Sequence, residues 1–211
     1  MYLPAHFIEQ DEAKIAAVIR ANSFATLVTF DGARPFASHV PLVLQPERGP
    51  RGALIGHVAR ANPQWQHFGA GTEALAIFTG PHAYISPSWY QTPNMVPTWN
   101  HVAVHVYGIP RVVEDTAAFG EILRLLVDEY ESGRTAPWRD ELPADYKAGM
   151  MKAIVGFEIE ITRVEAKFKL SQNRKPEDIA GAVAALSQSE NQTERELAAL
   201  MKSQYEQGRQ S

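Results

Sequence analysis

The segment LIGHVARANPQWQHF, at residues 54–68, joins a β-rich stretch to residues suited to binding an anion. It delivers His57, Arg60 and Asn62 to the start of a predicted short helix. Backbone N–H groups at a helix start attract anions, and the arginine fork matches phosphate oxygens. We predict a phosphate site at Arg60 and Asn62. The alternative is that Arg60 pairs with a surface carboxylate and Asn62 only caps the helix.

Two aromatic-rich segments carry side chains suited to a flat ligand. In AIFTGPHAYISPSWY, Ser88 stands next to the rings of Trp89 and Tyr90. In VPTWNHVAVHVYG, Trp99 could stack on a heteroaromatic ring, and Asn100 offers hydrogen-bond donors and acceptors to the edge of that ring. We predict a polar and aromatic pocket here. A turn packed on core aromatics is the alternative interpretation.

A third segment, AKFKLSQNR, concentrates positive charge in an otherwise acidic chain. Lys167, Lys169 and Arg174 supply the charge, and Ser171 and Asn173 are polar neighbours of the kind that a bound phosphate or ring needs. The segment therefore indicates a part of a ligand site. The alternative is a solvated basic loop that precedes a helix.

The histidines do not predict a metal site. His101 and His105 have the spacing of a helical metal pair, but they fall in a predicted strand, where four residues span roughly 13 Å. No side chain is identified as catalytic. His57, His101 and Tyr90 are the candidates for a proton donor.

Composition and charge restrict the class of protein. The 211 residues include 20 Lys and Arg against 24 Asp and Glu, a net charge of -4 that argues against a chain-wide basic surface. The chain contains no cysteine, which excludes disulfides and thiolate metal sites. No secretory signal is recognisable, and no apolar run approaches the roughly 18 residues that span a bilayer. We expect a soluble cytoplasmic protein with no membrane contact.

The hydrophobic pattern predicts a mainly β protein with helices, in the α+β class. The predicted strands cover residues 24–30, 34–44, 53–58, 74–79, 100–113 and 153–164. The predicted helices cover residues 11–21, 62–68, 119–130, 176–187 and 191–206, with one more short helix within 132–152. About six antiparallel strands with one apolar face each favour a small barrel. We expect one domain, with residues 1–174 as its barrel and residues 175–211 as its C-terminal helical extension.

Five motifs in order resemble one known family. MYLPAHF, GHVARANPQW, FTGPHAYISPSWY, VPTWNHVAVHVYG and AKFKLSQNR together are similar to the PaiB-type family of FMN-binding negative transcriptional regulators. The resemblance extends from Met1 to about Leu186. It implies a split β-barrel of the type shared with flavin reductases and pyridoxamine-phosphate oxidases. It also implies a homodimer that binds FMN in a cleft between protomers.

The resemblance assigns roles to the residues singled out above. It implies that Arg60 holds the FMN phosphate, with His57 and Ala59 beside it on the strand. The residues that it places near the isoalloxazine ring, some of them from the second subunit, are Trp89, Tyr90, Trp99 and Asn100. The residues that it implies for a closing segment are Lys169, Ser171, Asn173 and Arg174.

Three functions follow as hypotheses. The first is an FMN-binding regulatory protein that acts as a repressor, directly or indirectly. The second is a flavin-dependent oxidoreductase of a small substrate, with a haem-handling relative of the same fold as a more distant case. The third is direct DNA binding by the two C-terminal helices, which their acidic composition disfavours.

Overall fold

The computed structural model describes residues 1–69 and 71–207. Its strands are β1 (Phe24–Phe30), β2 (Pro35–Pro41), β3 (Val43–Gln45), β4 (Ala53–Ala59), β5 (Ala74–Ile85), β6 (Thr98–Val112) and β7 (Ile154–Lys169). Its α-helices are α1 (Glu12–Ala21), α2 (Thr116–Glu131), α3 (Ala144–Met151), α4 (Pro176–Ser187) and α5 (Gln192–Gln207). Short 3-10 helices lie at Ala5–Phe7, Pro63–His67 and Pro87–Trp89. Within the described residues, no helix has the length and apolar character needed to cross a membrane.

The seven strands form one sheet in the order β2-β1-β5-β6-β7-β4-β3. The pairs β1/β2, β1/β5, β3/β4 and β4/β7 are antiparallel. The three neighbouring strands β5, β6 and β7 are long, with 12, 15 and 16 residues. Buried and accessible positions alternate along most of β5 and β6 and in the last part of β7, because successive side chains of a strand point to opposite faces.

The described residues divide into two compact units. The terminal unit comprises Met1–Val18, Thr79–Val104 and Glu165–Ser211. The central unit comprises Ile19–Phe78 and His105–Val164. The boundary expected at residue 174, between the barrel and its C-terminal helical extension, stays a prediction.

Helix α2 packs on one end of the sheet in the central unit. Phe119, Ile122 and Leu126 lie on its buried face and form a core cluster with Val43 and Ile55. The Asp115 carboxylate accepts a hydrogen bond from the backbone N–H of Ala118 at 2.8 Å and so caps the helix. The prediction of this helix from its apolar spacing is confirmed.

In the terminal unit, the helices α4 and α5 pack on each other through small and large apolar side chains. Ala182 and Leu186 of α4 and Leu197 and Met201 of α5 are buried. The Asp178 carboxylate in the first turn of α4 accepts hydrogen bonds from the backbone N–H groups of Gln91 and Thr92 and from the Thr92 hydroxyl. Helix α4 therefore holds the aromatic loop between β5 and β6 in place.

Two predicted strand ends are wrong. Gly80 and Pro81 do not end the fourth strand, since β5 continues to Ile85. A Cβ atom on Gly80 would meet Val102 at 3.1 Å, so this glycine serves close packing between strands, and the fixed φ of proline is compatible with extended backbone. Strand β7 likewise continues past residue 164 to Lys169, where Ile8 pairs with Lys167 and gives the extension a partner.

The predicted strand over 34–44 is also wrong, because it contains two strands. Leu42 interrupts it, where its backbone N–H donates to the Ser23 carbonyl at 2.8 Å and its side chain is fully buried. The residues after Leu42 form β3 and pair with β4 instead. The sheet therefore has seven strands rather than about six, and β2 and β3 stand at the two ends of the strand order.

The Asp178 carboxylate gives the first testable prediction. Its hydrogen bonds from Thr92 and Gln91 lower its pKa below the ordinary value, so it stabilises the fold above about pH 4 and this contribution is lost as the pH falls through the folded pKa. We expect Asp178→Ala to have a lower free energy of unfolding than wild type at pH 7. At pH 3 the difference in this free energy between the variant and wild type should be smaller. Urea unfolding at both pH values measures this. Glu177→Ala, an exposed neighbour in the same helical turn, is the control, and a gap that does not narrow at pH 3 contradicts the prediction.

Candidate functional site

Arg60 lies just after β4 and is held against the start of β7. Its backbone N–H donates to the Ala153 carbonyl at 2.8 Å. Its Nε donates to the Lys152 carbonyl at 2.7 Å and its Nη2 to the Ile154 carbonyl at 3.0 Å. These bonds fix the guanidinium and leave Nη1 available. Thus Arg60 is anchored by carbonyls and not by the surface carboxylate that the alternative interpretation proposed.

A groove of about 610 Å³ in the central unit has Arg60 on its wall. Helix α3 contributes Lys147 and Met151, and Lys152 follows them. The apolar lining comprises Val112, Val113, Phe119, Ala144, Ala148, Met151, Ile154 and Val155. The volume lies in the range of about 300–1,000 Å³ that is typical of sites for small ligands.

The charges of this groove favour an anion. Lys147 forms an ion pair with Asp140 at 2.6 Å, which leaves Arg60 and Lys152 as the cations of the lining without a carboxylate partner among the described residues. Glu114 is the acidic residue of the lining. An apolar groove with surplus positive charge suits a ligand that has an apolar body and an anionic group.

The structure confirms that Asn62 is a helix cap. Its side-chain oxygen accepts from the Gln64 N–H at 3.0 Å, and its amide donates to the Ser38 hydroxyl at 2.9 Å. The helix that it caps is a five-residue 3-10 helix, so the helix adds little field at its start. Both ends of the Asn62 amide are engaged within the protein. The anion-binding potential of this segment therefore lies with Arg60.

His57 and Ala59 occupy β4 in the same unit. Ala59 is exposed at the end of the strand, whereas His57 is half-buried. The Nδ1 atom of His57 is buried without a hydrogen-bond partner, and burial lowers the pKa of the ring. A buried ring nitrogen without a partner is a polar group that a ligand can satisfy.

The predicted site residues Trp99 and Lys169 belong to a group of side chains in the terminal unit, on the accessible side of β5, β6 and β7. We call it the aromatic–basic face, and its residues are His82, Tyr84, Trp99, His101, Lys167 and Lys169. The residues between them point to the other side of the sheet and are buried. The period of two along each strand thus separates the face from the core.

Trp99 is the largest ring of the face and is 56% exposed. The ring of His82 lies 6.3 Å from the Trp99 ring between centroids. Tyr84 is 44% exposed and meets Trp99 edge-on at 6.2 Å. His82 Nδ1 lies 3.2 Å from the Gly80 carbonyl, which fixes the orientation of the imidazole. These rings form an accessible surface onto which a planar group can stack.

The cations beside these rings bond to neutral groups. Lys169 donates to the Thr98 hydroxyl and to the Trp99 carbonyl. Lys167 donates to the Tyr2 carbonyl at 3.2 Å. Burial lowers the pKa of Lys169, and the charges of Lys167 and Arg174 lower it further.

Asn100 and Ser171 lie beneath the face. Asn100 is fully buried, and its amide donates to the Ser171 hydroxyl at 2.8 Å. The Asn100 Oδ1 atom has no hydrogen-bond partner within the described residues. Ser171 adopts a φ of +66°, a conformation uncommon for residues other than glycine. This buried pair shapes the turn that follows Lys169.

The remaining predicted residues surround the loop that Asp178 holds. Ser88 is exposed and bonds to the Ser86 hydroxyl at 2.7 Å, while Trp89 and Tyr90 are half-buried. The guanidinium of Arg174 lies 5.8 Å from the centroid of the Tyr90 ring, and Asn173 is exposed in the turn before it.

The predicted site residues therefore fall into two sets. His57, Ala59, Arg60 and Asn62 lie in the central unit. Ser88, Trp89, Tyr90, Trp99, Asn100, Lys169, Ser171, Asn173 and Arg174 lie in the terminal unit. The sequence interpretation did not name Lys147 or Lys152 at the groove, nor His82 on the face. Extending β5 to Ile85 would have revealed His82 by its alternation with the buried Ala83.

Comparison with known proteins gives the family. Residues 1–163 match the family model described as "Putative FMN-binding domain". The chain is also 38% identical, over 203 residues, to "Protease synthase and sporulation protein PAI 2" of Bacillus subtilis. That match covers 95% of this chain and 96% of the relative.

Solved structures share the fold at low sequence identity. The flavocytochrome Anf3 from Azotobacter vinelandii superposes with a TM-score of 0.61 at 16% identity, covering 85% of this chain and 78% of that one. The FAD and heme binding protein from Mycobacterium smegmatis superposes with a TM-score of 0.60 at 18% identity, covering 82% and 78%. The α+β fold class of the split-barrel type is confirmed, whereas the small closed barrel that the strand pattern favoured is wrong, because the strand order ends at β2 and β3. With its family match and its 38% identity to the Bacillus protein, the chain belongs to the PaiB-type family of FMN-binding domains, whose cofactor is FMN.

Proposed function

We propose that the protein is a cytoplasmic, homodimeric FMN-binding regulator of the PaiB type that lowers the transcription of its target genes. The observation that carries the FMN part is the anchored guanidinium of Arg60, which faces an apolar groove without a carboxylate partner. Family membership supports the regulatory part, because the Bacillus relative is named as a protease synthase and sporulation protein.

Each unit, taken by itself, carries side chains whose chemistry fits one part of FMN. Arg60 would hold the phosphate, with Lys152 adding positive charge and His57 offering an unpartnered ring nitrogen. Trp99 would contact the isoalloxazine ring, and Lys169 would supply a cation beside it. When bound, FMN supplies the transfer of electrons, while the chain provides binding, orientation and charge.

Regulation of transcription does not require the C-terminal helices to contact DNA bases. Their buried faces hold Leu197, Ala198 and Met201 in the core. The accessible residues of α5 include Glu194, Glu196 and Glu206 against Arg195 and Lys202. DNA phosphates repel such a surface. We therefore propose that the protein represses transcription through a partner or a metabolite.

A flavin-dependent oxidoreductase is the second candidate function. Tyr90 and His57 carry buried polar atoms without partners, and His101 has its pKa lowered by burial first and then by Lys167, Lys169 and His82. Such side chains can hold or release a proton beside a redox cofactor. Oxidation of a nicotinamide donor that requires added FMN would favour this function over regulation alone.

Removal of the Arg60 fork should weaken FMN binding. We expect Arg60→Ala to cost about 1–3 kcal/mol of binding free energy, the scale of a lost charged hydrogen bond. Arg60→Lys should bind FMN with an intermediate Kd, because it keeps the charge and loses the two-pronged geometry. Quenching of FMN fluorescence measures each Kd.

Arg20→Ala is the matched control for charge, because Arg20 is exposed on α1. Thermal unfolding of each variant tests whether the loss of the bonds to Lys152 and Ile154 disturbs the fold. Riboflavin, which lacks the phosphate, should bind wild type and Arg60→Ala equally. If the Arg60→Ala protein folds and keeps the wild-type Kd for FMN, the phosphate of FMN binds elsewhere.

The homodimer is a separate prediction. Tyr2, Tyr84 and Trp99 expose large rings in the terminal unit, and burying such surface favours association. We expect sedimentation equilibrium of the FMN-loaded protein to give the mass of two chains. A single-chain mass at micromolar concentration would exclude the proposed dimer.

A further inference from the structure

The terminal unit gathers three cations that have no carboxylate partner among the described residues. Lys169 bonds to a hydroxyl and a carbonyl, and Lys167 bonds to a carbonyl. Arg174 approaches the Met95 sulfur at 3.9 Å and the ring of Tyr90. All these partners are neutral, so no direct ion pair neutralises these three cations within the described residues.

The nearby titratable groups add no compensation. His82 and His101 belong to the same face and become positive when protonated. Glu165 lies on the same strand as the two lysines and forms an ion pair with the Met1 amino group. The pKa of Lys169 is lowered by its burial and by Lys167 and Arg174, so a negative charge nearby would stabilise its ammonium form.

The surroundings of these cations indicate the shape of the missing anion. Trp99 exposes its ring on β6, the strand next to Lys169, and Tyr84 exposes its ring on β5, the strand after that. The imidazole of His82 is oriented by Gly80. Inorganic phosphate would leave these rings in water. A planar heteroaromatic group that also carries negative charge would contact both the rings and the cations.

We propose that the aromatic–basic face binds the reduced, negatively charged isoalloxazine ring of FMN more tightly than the oxidised ring, with Lys169 as the residue that stabilises the negative charge. This inference rests on the proposed FMN-binding function. An isoalloxazine that has taken up two electrons and one proton carries one negative charge. An ammonium group close to that charge stabilises the reduced form, more strongly in a partly buried site than in water.

Tighter binding of the reduced form changes the reduction potential of the bound cofactor. A site that binds the reduced cofactor more tightly than the oxidised one raises the reduction potential of the bound cofactor, because binding and reduction are linked. The bound FMN should therefore have a higher potential than free FMN. A protein of this kind would hold FMN in its reduced form under conditions in which free FMN is oxidised, and it could report that state to a partner.

The test is the reduction potential of bound FMN, measured by titration with dithionite and a reference dye. Lys169→Gln removes the charge and keeps an amide donor for the Thr98 hydroxyl and the Trp99 carbonyl. We expect this variant to shift the potential of bound FMN downward and to bind reduced FMN about tenfold more weakly, with a smaller change for oxidised FMN. Lys169→Arg should retain the wild-type potential.

Lys202→Met is the matched control, because Lys202 is exposed on α5 and its removal changes the net charge equally. Trp99→Leu is the second variant and should weaken the binding of both redox forms, since both present a flat ring to the indole. If Lys169→Gln weakens the binding of reduced and of oxidised FMN equally, or leaves the reduction potential of bound FMN unchanged, this inference is overturned. A wild-type protein that binds no FMN overturns the proposed function instead.

Discussion

The structure depends on the alternation of side chains along three long neighbouring strands. Strands β5, β6 and β7 place Ala83, Val102 and Phe168 on the buried side, and every second residue is accessible along most of β5 and β6 and in the last part of β7. Because the period of a strand is two, the same residues that must pack the core also determine which residues form the face. A shift of one residue in β6 or in the last part of β7 would bury Trp99 or Lys169 and expose core residues.

The cations of this face have neutral hydrogen-bond partners. The chain has more acidic than basic residues, and several of its basic residues form ion pairs. Arg124, for example, contacts both Glu121 and Asp128 on α2. Against that background, the neutral partners of Lys169 are a local feature and not a result of composition. The same argument applies to Arg60, whose guanidinium bonds to carbonyls beside an apolar groove.

Local patterns in the sequence were sufficient for the fold class and for most elements. Helix α2 follows from its apolar spacing, and the Asn62 cap follows from the residue types around Pro63. The ends of β5 and β7 did not follow, because they depend on contacts between residues distant in sequence. Gly80 continues a strand because it packs on Val102, and β7 reaches Lys169 beside a pairing with Ile8.

The sequence indicated which residue types form the candidate site, but it did not indicate which of these residues lie together. Arg60, Trp99 and Lys169 stand out in the sequence by charge or ring size, yet only the folded chain shows their hydrogen-bond partners. Asn100 illustrates the limit, since its polarity indicated contact with a ring edge whereas the structure buries it against Ser171. Lys152 was not recognisable because its place on the groove depends on the connection between α3 and β7.

A crystal structure of the protein grown with FMN under reducing conditions would show directly whether the aromatic–basic face holds the reduced cofactor. We expect electron density for the isoalloxazine ring in contact with Trp99, with the Lys169 ammonium at the edge of the ring. Density for the flavin at another surface, with Trp99 and Lys169 still facing solvent, would contradict this expectation.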